Sequence, residues 1–264
     1  MSVSVFTGCS YTAGTGFTLE KNDPALWVNI LHSANPYLKD SSCVNVGKPG
    51  GSNEDIFTIS ITALFEYTPE YMFVEWTEYP RYTVLLGVET YTAIQGFSPN
   101  GICRDHKLHN INYTSTYLKN VKDRFLSLHH PHQGILNIIK YTNALINISK
   151  TTGTKIFFIN GICGWDNKYF DVLNNVLPGS YTPYTQKLLD CKTRDDEEVF
   201  KLYNLIHHEY NQAGSIREDH WLNLYNSLRT GRIDVNHDNI HPGIQSNLNY
   251  ADTLNQTLIS KLGS

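Results

Sequence analysis

Short β-rich runs alternate with amphipathic segments of helical length along this chain. Residues Val3 to Thr7 form a β-rich run that ends in Gly8. From Pro24 to Ala34, Leu26, Trp27, Ile30 and Leu31 fall on one helical face. Asp23-Pro24 ahead of them reads as an N-cap followed by proline at the first helical position. A second strand is expected from Ser42 to Val46, closed by Gly47. Ser52 or Asn53 can then cap a helix carrying Ile56, Ile59, Ile61 and Leu64. Tyr71 to Trp76 and Lys155 to Asn160 (KIFFIN) read as third and fourth strands, the latter after an amphipathic helix from about Gln133 to Ser149. Val199 to His208, His220 to Leu228 and Ile244 to Leu262 read as further helices.

Strands alternating with helices predict an α/β fold: a three-layer α/β/α sandwich around a central parallel sheet. The interval from about Leu85 to Pro131, with a helix from about Tyr117 to Leu128, does not fit the alternation. It reads as an insertion over the strand ends, a lid or a partner surface. In such sheets the ligand crevice lies at the carboxyl ends of the strands, so those ends are where chemistry is expected.

Composition narrows the function classes. The chain has 264 residues, 41% apolar and 17% charged, which excludes a disordered tail. A net charge of −4 argues against a general nucleic-acid binder. No apolar stretch approaches the ~18 residues of a membrane span. The five cysteines, Cys9, Cys43, Cys103, Cys163 and Cys191, form no CxxC pair, so neither a disulfide framework nor a zinc knuckle is expected. The first residues lack the basic and apolar regions of a signal peptide. A cytoplasmic protein is expected, and a virion destination would leave no such mark. The 25 Asn and 17 Tyr supply hydrogen bonds without charge, which suits a carbohydrate-facing surface and equally an A/T-rich genome.

Three strand-end blocks carry candidate chemistry. Gly8-Cys9-Ser10-Tyr11-Thr12-Ala13-Gly14 presents Ser10 at a glycine-flanked turn, where its hydroxyl can point outward. Its N–H can meet an anion there, although a plain turn serine satisfies the same pattern. Asn45-Val46-Gly47-Lys48-Pro49-Gly50-Gly51-Ser52-Asn53 offers exposed N–H groups ahead of a helix, or simply a flexible loop. Asp238-Asn239-Ile240-His241-Pro242-Gly243 puts a carboxylate three residues before an imidazole. That spacing lets Asp238 orient His241 for general-base work, or leaves a capping Asp beside a surface His.

Together, GCSYTxG, NxGxxGxS and DxxHPG resemble the blocks of the SGNH/GDSL hydrolase family. The resemblance implies a flavodoxin-like sandwich, a Ser10–Asp238–His241 catalytic triad and an oxyanion hole that includes the N–H groups of Ser10 and Gly50. After its third strand the family usually has Gly-x-Asn-Asp, whose Asn donates to the oxyanion. Here the strand continues as Glu75-Trp76-Thr77-Glu78-Tyr79-Pro80-Arg81. Thr77 falls near the missing Asn, Asn53 is a second candidate donor, and Asn160 is a third at the crevice. The WTxxxR variant with a GCSxTxG start more loosely resembles SGNH-like proteins of bacteriophage genomes.

The resemblance implies a serine esterase for a small-molecule or carbohydrate ester, such as an O-acetylated sugar, with no cofactor and no metal. Arg81 can bind a polar or acidic substrate, or pair with Glu75, Glu78 or Glu89. Trp76 and Trp165 can stack on a sugar, or pack in the core. His129-His130-Pro131-His132 does not have metal-ligand spacing, and His237 is close enough to the Asp–His pair to support it. Ser10 and His241 lie 241 − 10 = 231 residues apart, so a working triad requires a single domain over 1–264. The alternative is a structural or carbohydrate-binding module, for example a phage virion component, with contacts made through residues 85–131.

Overall fold

The computed structural model describes residues 2–78, 81–85, 91–94, 131–162, 220–223 and 227–263. Contacts group Met1–Gly164 with Asp219–Ser264 into one compact unit, and Trp165–Glu218 into another whose residues lie outside those described. Also outside are most of the 85–131 interval, Cys103, Trp165 and the expected helices at 117–128 and 199–208.

The first unit runs β1 (Val3–Thr7), α1 (Ser10–Ala13), a 3-10 turn (Glu20–Asn22), α2 (Trp27–Ala34), β2 (Ser42–Asn45), α3 (Asn53–Tyr67) and β3 (Tyr71–Trp76). It continues with β4 (Tyr82–Leu85), β5 (Tyr91–Ile94), α4 (Pro131–Thr152), β6 (Lys155–Asn160) and α5 (Ile244–Leu262). The central sheet is parallel, in the order β2-β1-β3-β6. Strand β1 therefore starts in the middle and the chain winds outward both ways, as the sequence predicts.

Each layer has a visible cause. Phe6, Phe73 and Phe157 are in register across β1, β3 and β6. Their rings stack at 4.7 and 5.6 Å, with Trp27 of α2 edge-on to Phe6. Helix α5 closes that face by accepting the N–H of Trp27 on Asn247 Oδ1 at 2.9 Å. On the opposite face, α3 and α4 meet through stacked Phe57 and Tyr141, and Thr7 bonds Ser60 of α3. All six residues of β3 are buried, as a central strand covered by helices on both faces must be.

Three expectations change. Helix α2 starts at Trp27, because Asp23 and Pro24 form a turn ahead of it. Asp23 accepts the N–H of Ala25 on its carboxylate and that of Leu26 on its carbonyl. The interval after β3 opens with an antiparallel hairpin, β4 with β5, already at Tyr82. The expected helix from His220 to Leu228 is, where it is described, a bridge at Trp221 followed by bends, with Leu228 in a turn. Trp221 bridges Phe158, and Leu222 and Leu228 donate their N–H groups to the carbonyls of Phe158 and Asn160. The open edge of β6 takes this segment's backbone bonds, so its helical periodicity loses to sheet pairing.

Candidate active site

Ser10 begins α1 directly after β1, and Cys9 occupies the N-cap position without a side-chain capping bond. The second block packs against this turn at three points. Lys48 N donates to Gly8 O at 2.8 Å, and Asn45 Nδ2 donates to Thr12 O at 2.7 Å. A Cβ on Gly47 would lie 2.7 Å from Ala13 N, so only glycine lets the second block approach this closely. The second block then turns through Gly50, at a left-handed φ of 68°. It enters α3 through a capping box in which Ser52 Oγ accepts from Asp55 N and Asp55 Oδ2 accepts from Ser52 N. Of the two expected caps, Ser52 is the one used.

The Asp238–His241 pair forms within one loop. Asp238 Oδ2 accepts from His241 Nδ1 at 2.5 Å, and Oδ1 accepts from the backbone N–H groups of Ile240 and His241, both at 3.0 Å. Burial opposes the charged carboxylate, but the two backbone bonds and then the imidazole outweigh it and hold Asp238 below the usual range. Asn239 takes a left-handed φ of 56° between them, a conformation Asn tolerates better than most residues.

Two contacts bring this loop to the Ser10 turn. The ring of Tyr11 meets that of His241 edge-on at 6.0 Å. A Cβ on Gly16 would lie 3.0 Å from Asp238 Oδ2. Among the described residues no hydrogen bond joins Ser10 Oγ to His241; the Oγ is directed at Cys9 Sγ, 4.0 Å away.

The end of β3 holds the third block. Asn53 Oδ1 accepts from Thr77 N at 2.9 Å, while Asn53 Nδ2 donates to the carbonyls of Thr77 and Glu78. Asn53 is thus committed to positioning Thr77. The Thr77 hydroxyl is buried and has no hydrogen-bond partner among the described residues. Arg81 is buried and pairs with Glu78 Oε1 at 2.8 Å, not with Glu75, and its Nη1 donates to Gly51 O at 3.3 Å. It therefore braces the second block against the third, instead of opening a cation to substrate.

Two expected substrate contacts are core features. Trp76 is 1% exposed, with its ring stacked on Phe158 at 6.1 Å and Tyr141 tilted at 6.3 Å. No face is left for a sugar. Asn160 is buried, and its amide donates to Asn223 O while Asn223 Oδ1 and Nδ2 bond its backbone. It pins the 220–228 segment to β6. Among the described residues no group of three His, Cys, Asp or Glu side chains could hold a metal. No described helix is long and apolar enough to cross a membrane. His129 and His130 lie outside the described residues.

One residue escaped the sequence reading. Glu75 is fully buried on β3, where Oε1 accepts from Cys9 Sγ at 3.2 Å and Oε2 accepts from Thr12 N at 3.1 Å and from Thr12 Oγ1. The signal was a lone carboxylate inside the apolar run YMFVEW, where a charge must find partners.

No protein-family model matches the chain, and no curated protein does. Solved structures do. The psychrotrophic esterase EstA from Pseudoalteromonas sp., in a structure inhibited by monoethylphosphonate, is 12% identical over 100% of both chains, with a TM-score of 0.50. The chain shares that esterase's fold, helices around a parallel sheet. TesA is 14% identical over 98% of this chain and 99% of its own, with a TM-score of 0.48. A carbohydrate acetylesterase family member from Sinorhizobium meliloti is 11% identical over 100% of both, at 0.47.

Proposed function

We propose that this protein is a serine ester hydrolase of the SGNH type, built as one domain over 1–264. The observation that carries the reading is the Asp238–His241 couple set against the Ser10 turn through Tyr11 and Gly16. In this reading His241 Nε2 takes the proton of Ser10, and Ser10 Oγ adds to the ester carbonyl. Asp238 fixes the imidazole tautomer through Nδ1 and stabilises the imidazolium. The N–H groups of Ser10 and Gly50 and the Thr77 hydroxyl, which has no partner among the described residues, receive the oxyanion. The intermediate collapses, the alcohol leaves with the proton from His241, and water activated by His241 releases the acid.

Substrate class follows from polarity. A chain with 17% charged residues, 25 Asn and 17 Tyr suits the short acyl ester of a neutral polar alcohol, with O-acetylated carbohydrate as the leading case. Hydrolysis of p-nitrophenyl acetate by the protein and by Ser10→Ala tests the assignment. Loss of turnover in the variant is expected, and equal rates would remove Ser10 from the mechanism. A second reading, a binding module on the same fold, draws on the missing Ser10–His241 hydrogen bond among the described residues. Catalytic hydrogen bonds are often long before substrate binds, so the first reading stands ahead of it.

A further inference from the structure

We infer that Glu75 is a positioning residue that holds the Ser10 turn from inside the sheet, serving as the N-terminal cap that α1 lacks. The inference rests on Ser10 being the nucleophile. Cys9, at the N-cap position, makes no capping bond with its side chain. The third N–H of the helix, that of Thr12, donates instead to Glu75 Oε2 at 3.1 Å. This is the bond a capping Ser or Asp would accept, here supplied from a neighbouring strand. Thr12 Oγ1 bonds the same oxygen, and Cys9 Sγ donates to Oε1 at 3.2 Å. Glu75 thus grips the residue before Ser10 and the residue two after it. Among the described residues the Ser10 side chain itself has one such contact, its Oγ directed at Cys9 Sγ 4.0 Å away.

The surroundings are shaped for this carboxylate. A Cβ on Gly8 would lie 2.8 Å from Glu75 Cβ, and one on Gly161 would lie 2.7 Å from its Cδ. Glycine therefore follows the strands on both sides of β3 where the Glu75 side chain needs the room. Two oxygens facing three donors suit the ionised form, because a proton would turn an acceptor into a donor aimed at donors. Burial nevertheless penalises the charge more than the bonds from Thr12 and Cys9 favour it, and the carboxyl is pushed up to about 7. The titratable groups around it keep one state in that range. Burial pushes the Cys9 thiol and the Tyr11 phenol each up to about 12, and Glu75 acts on both. The charge of the Arg81 guanidinium reaches Cys9 and favours its ionised form. Gly8 and Gly161 present only backbone. Above pH 7 the ionised carboxylate accepts all three bonds, and below it one of its oxygens carries a proton.

The test is the rate at which a fluorophosphonate labels Ser10, measured from pH 5 to pH 9 on the full chain, with melting curves to establish folding. Glu75→Gln keeps the shape and removes the charge. It is expected to slow labelling about tenfold, the loss of one hydrogen bond to a charged group, and to remove one ionisation near neutrality from the profile. Cys9→Ala removes one donor to Glu75, so the same ionisation is expected to move to higher pH. A Glu75 that merely fills the core would move neither profile, and unchanged rate and profile in Glu75→Gln overturn the inference. Should that variant fail to fold, the Cys9→Ala profile decides, and an unmoved ionisation there overturns it. Wild-type protein that never labels at Ser10 contradicts the hydrolase reading itself, and the positioning role falls with it.

Discussion

The Ser10 turn and the Asp238–His241 loop meet at Tyr11 and His241, but they are built in opposite ways. The turn grows out of a central strand and is held from within the fold: Glu75 beneath it, Gly47 against its helix, Asn45 on the Thr12 carbonyl. The loop lies at the surface, with Ile233, Val235 and Ile240 exposed around it. It is organised by its own short-range bonds, from Asp238 to Ile240 and His241 and from Asn236 N to His241 O. Shape errors should therefore be severe in the first region and mild in the second. Chemical errors should be severe in both.

The largest effect should come from the loop without any loss of fold. Asp238→Asn leaves a similar shape with the wrong hydrogen-bonding partner for His241, and turnover of p-nitrophenyl acetate should fall by ~10⁴, about 5 kcal/mol of barrier. The melting temperature should stay close to wild type, and a collapse of the fold would contradict the self-contained loop. Next is Thr77→Val, which removes the buried hydroxyl that has no partner among the described residues. Steady-state kinetics should show turnover lower by ~10²–10³, while urea denaturation shows no loss of stability. Unchanged turnover would move the third oxyanion donor elsewhere.

On the turn side, Gly161→Ala drives a methyl into Glu75 and should cost about 3 kcal/mol in urea denaturation. Gly153→Ala is the control: a Cβ there meets nothing within 4 Å, although its φ of 73° is left-handed. The control should lose only about 1 kcal/mol, and equal losses would show that Glu75 can move aside. The smallest effect is linkage. Glu75 binds its proton more tightly folded, at about 7, than unfolded, near 4.5. Its contribution is thus fully present below the unfolded value and lost as pH rises through the folded one. Stability should fall by about 2 kcal/mol between pH 5 and pH 8, and Glu75→Gln should flatten that slope.

The same contrast explains what could be read from residues alone. The order of short strands and amphipathic helices carried the sandwich, because each element states its own periodicity. The Asp–His couple was legible because it closes within four residues, and Ser52 because a capping box is local. Trp76, Asn160 and Arg81 sit at strand ends, where sequence shows that a side chain is near the crevice but not which way it points. Asn160 turns to Asn223, and Arg81 to Glu78 and Gly51. Glu75 was hidden for a related reason. Strand β3 is buried on both faces, so it has no alternation to mark the odd residue. Its partners lie 63 and 66 positions away. Residues 220–228 carry a helical pattern, yet the edge of β6 that takes their backbone bonds is a tertiary feature that no window of the chain displays.

The central claim, that Ser10 is a nucleophile activated by His241, is tested most directly by intact-mass analysis after fluorophosphonate treatment. The account predicts one adduct per chain, located at Ser10, formed by wild type and greatly slowed in His241→Ala. An adduct on another residue, or equal labelling with and without His241, would contradict it.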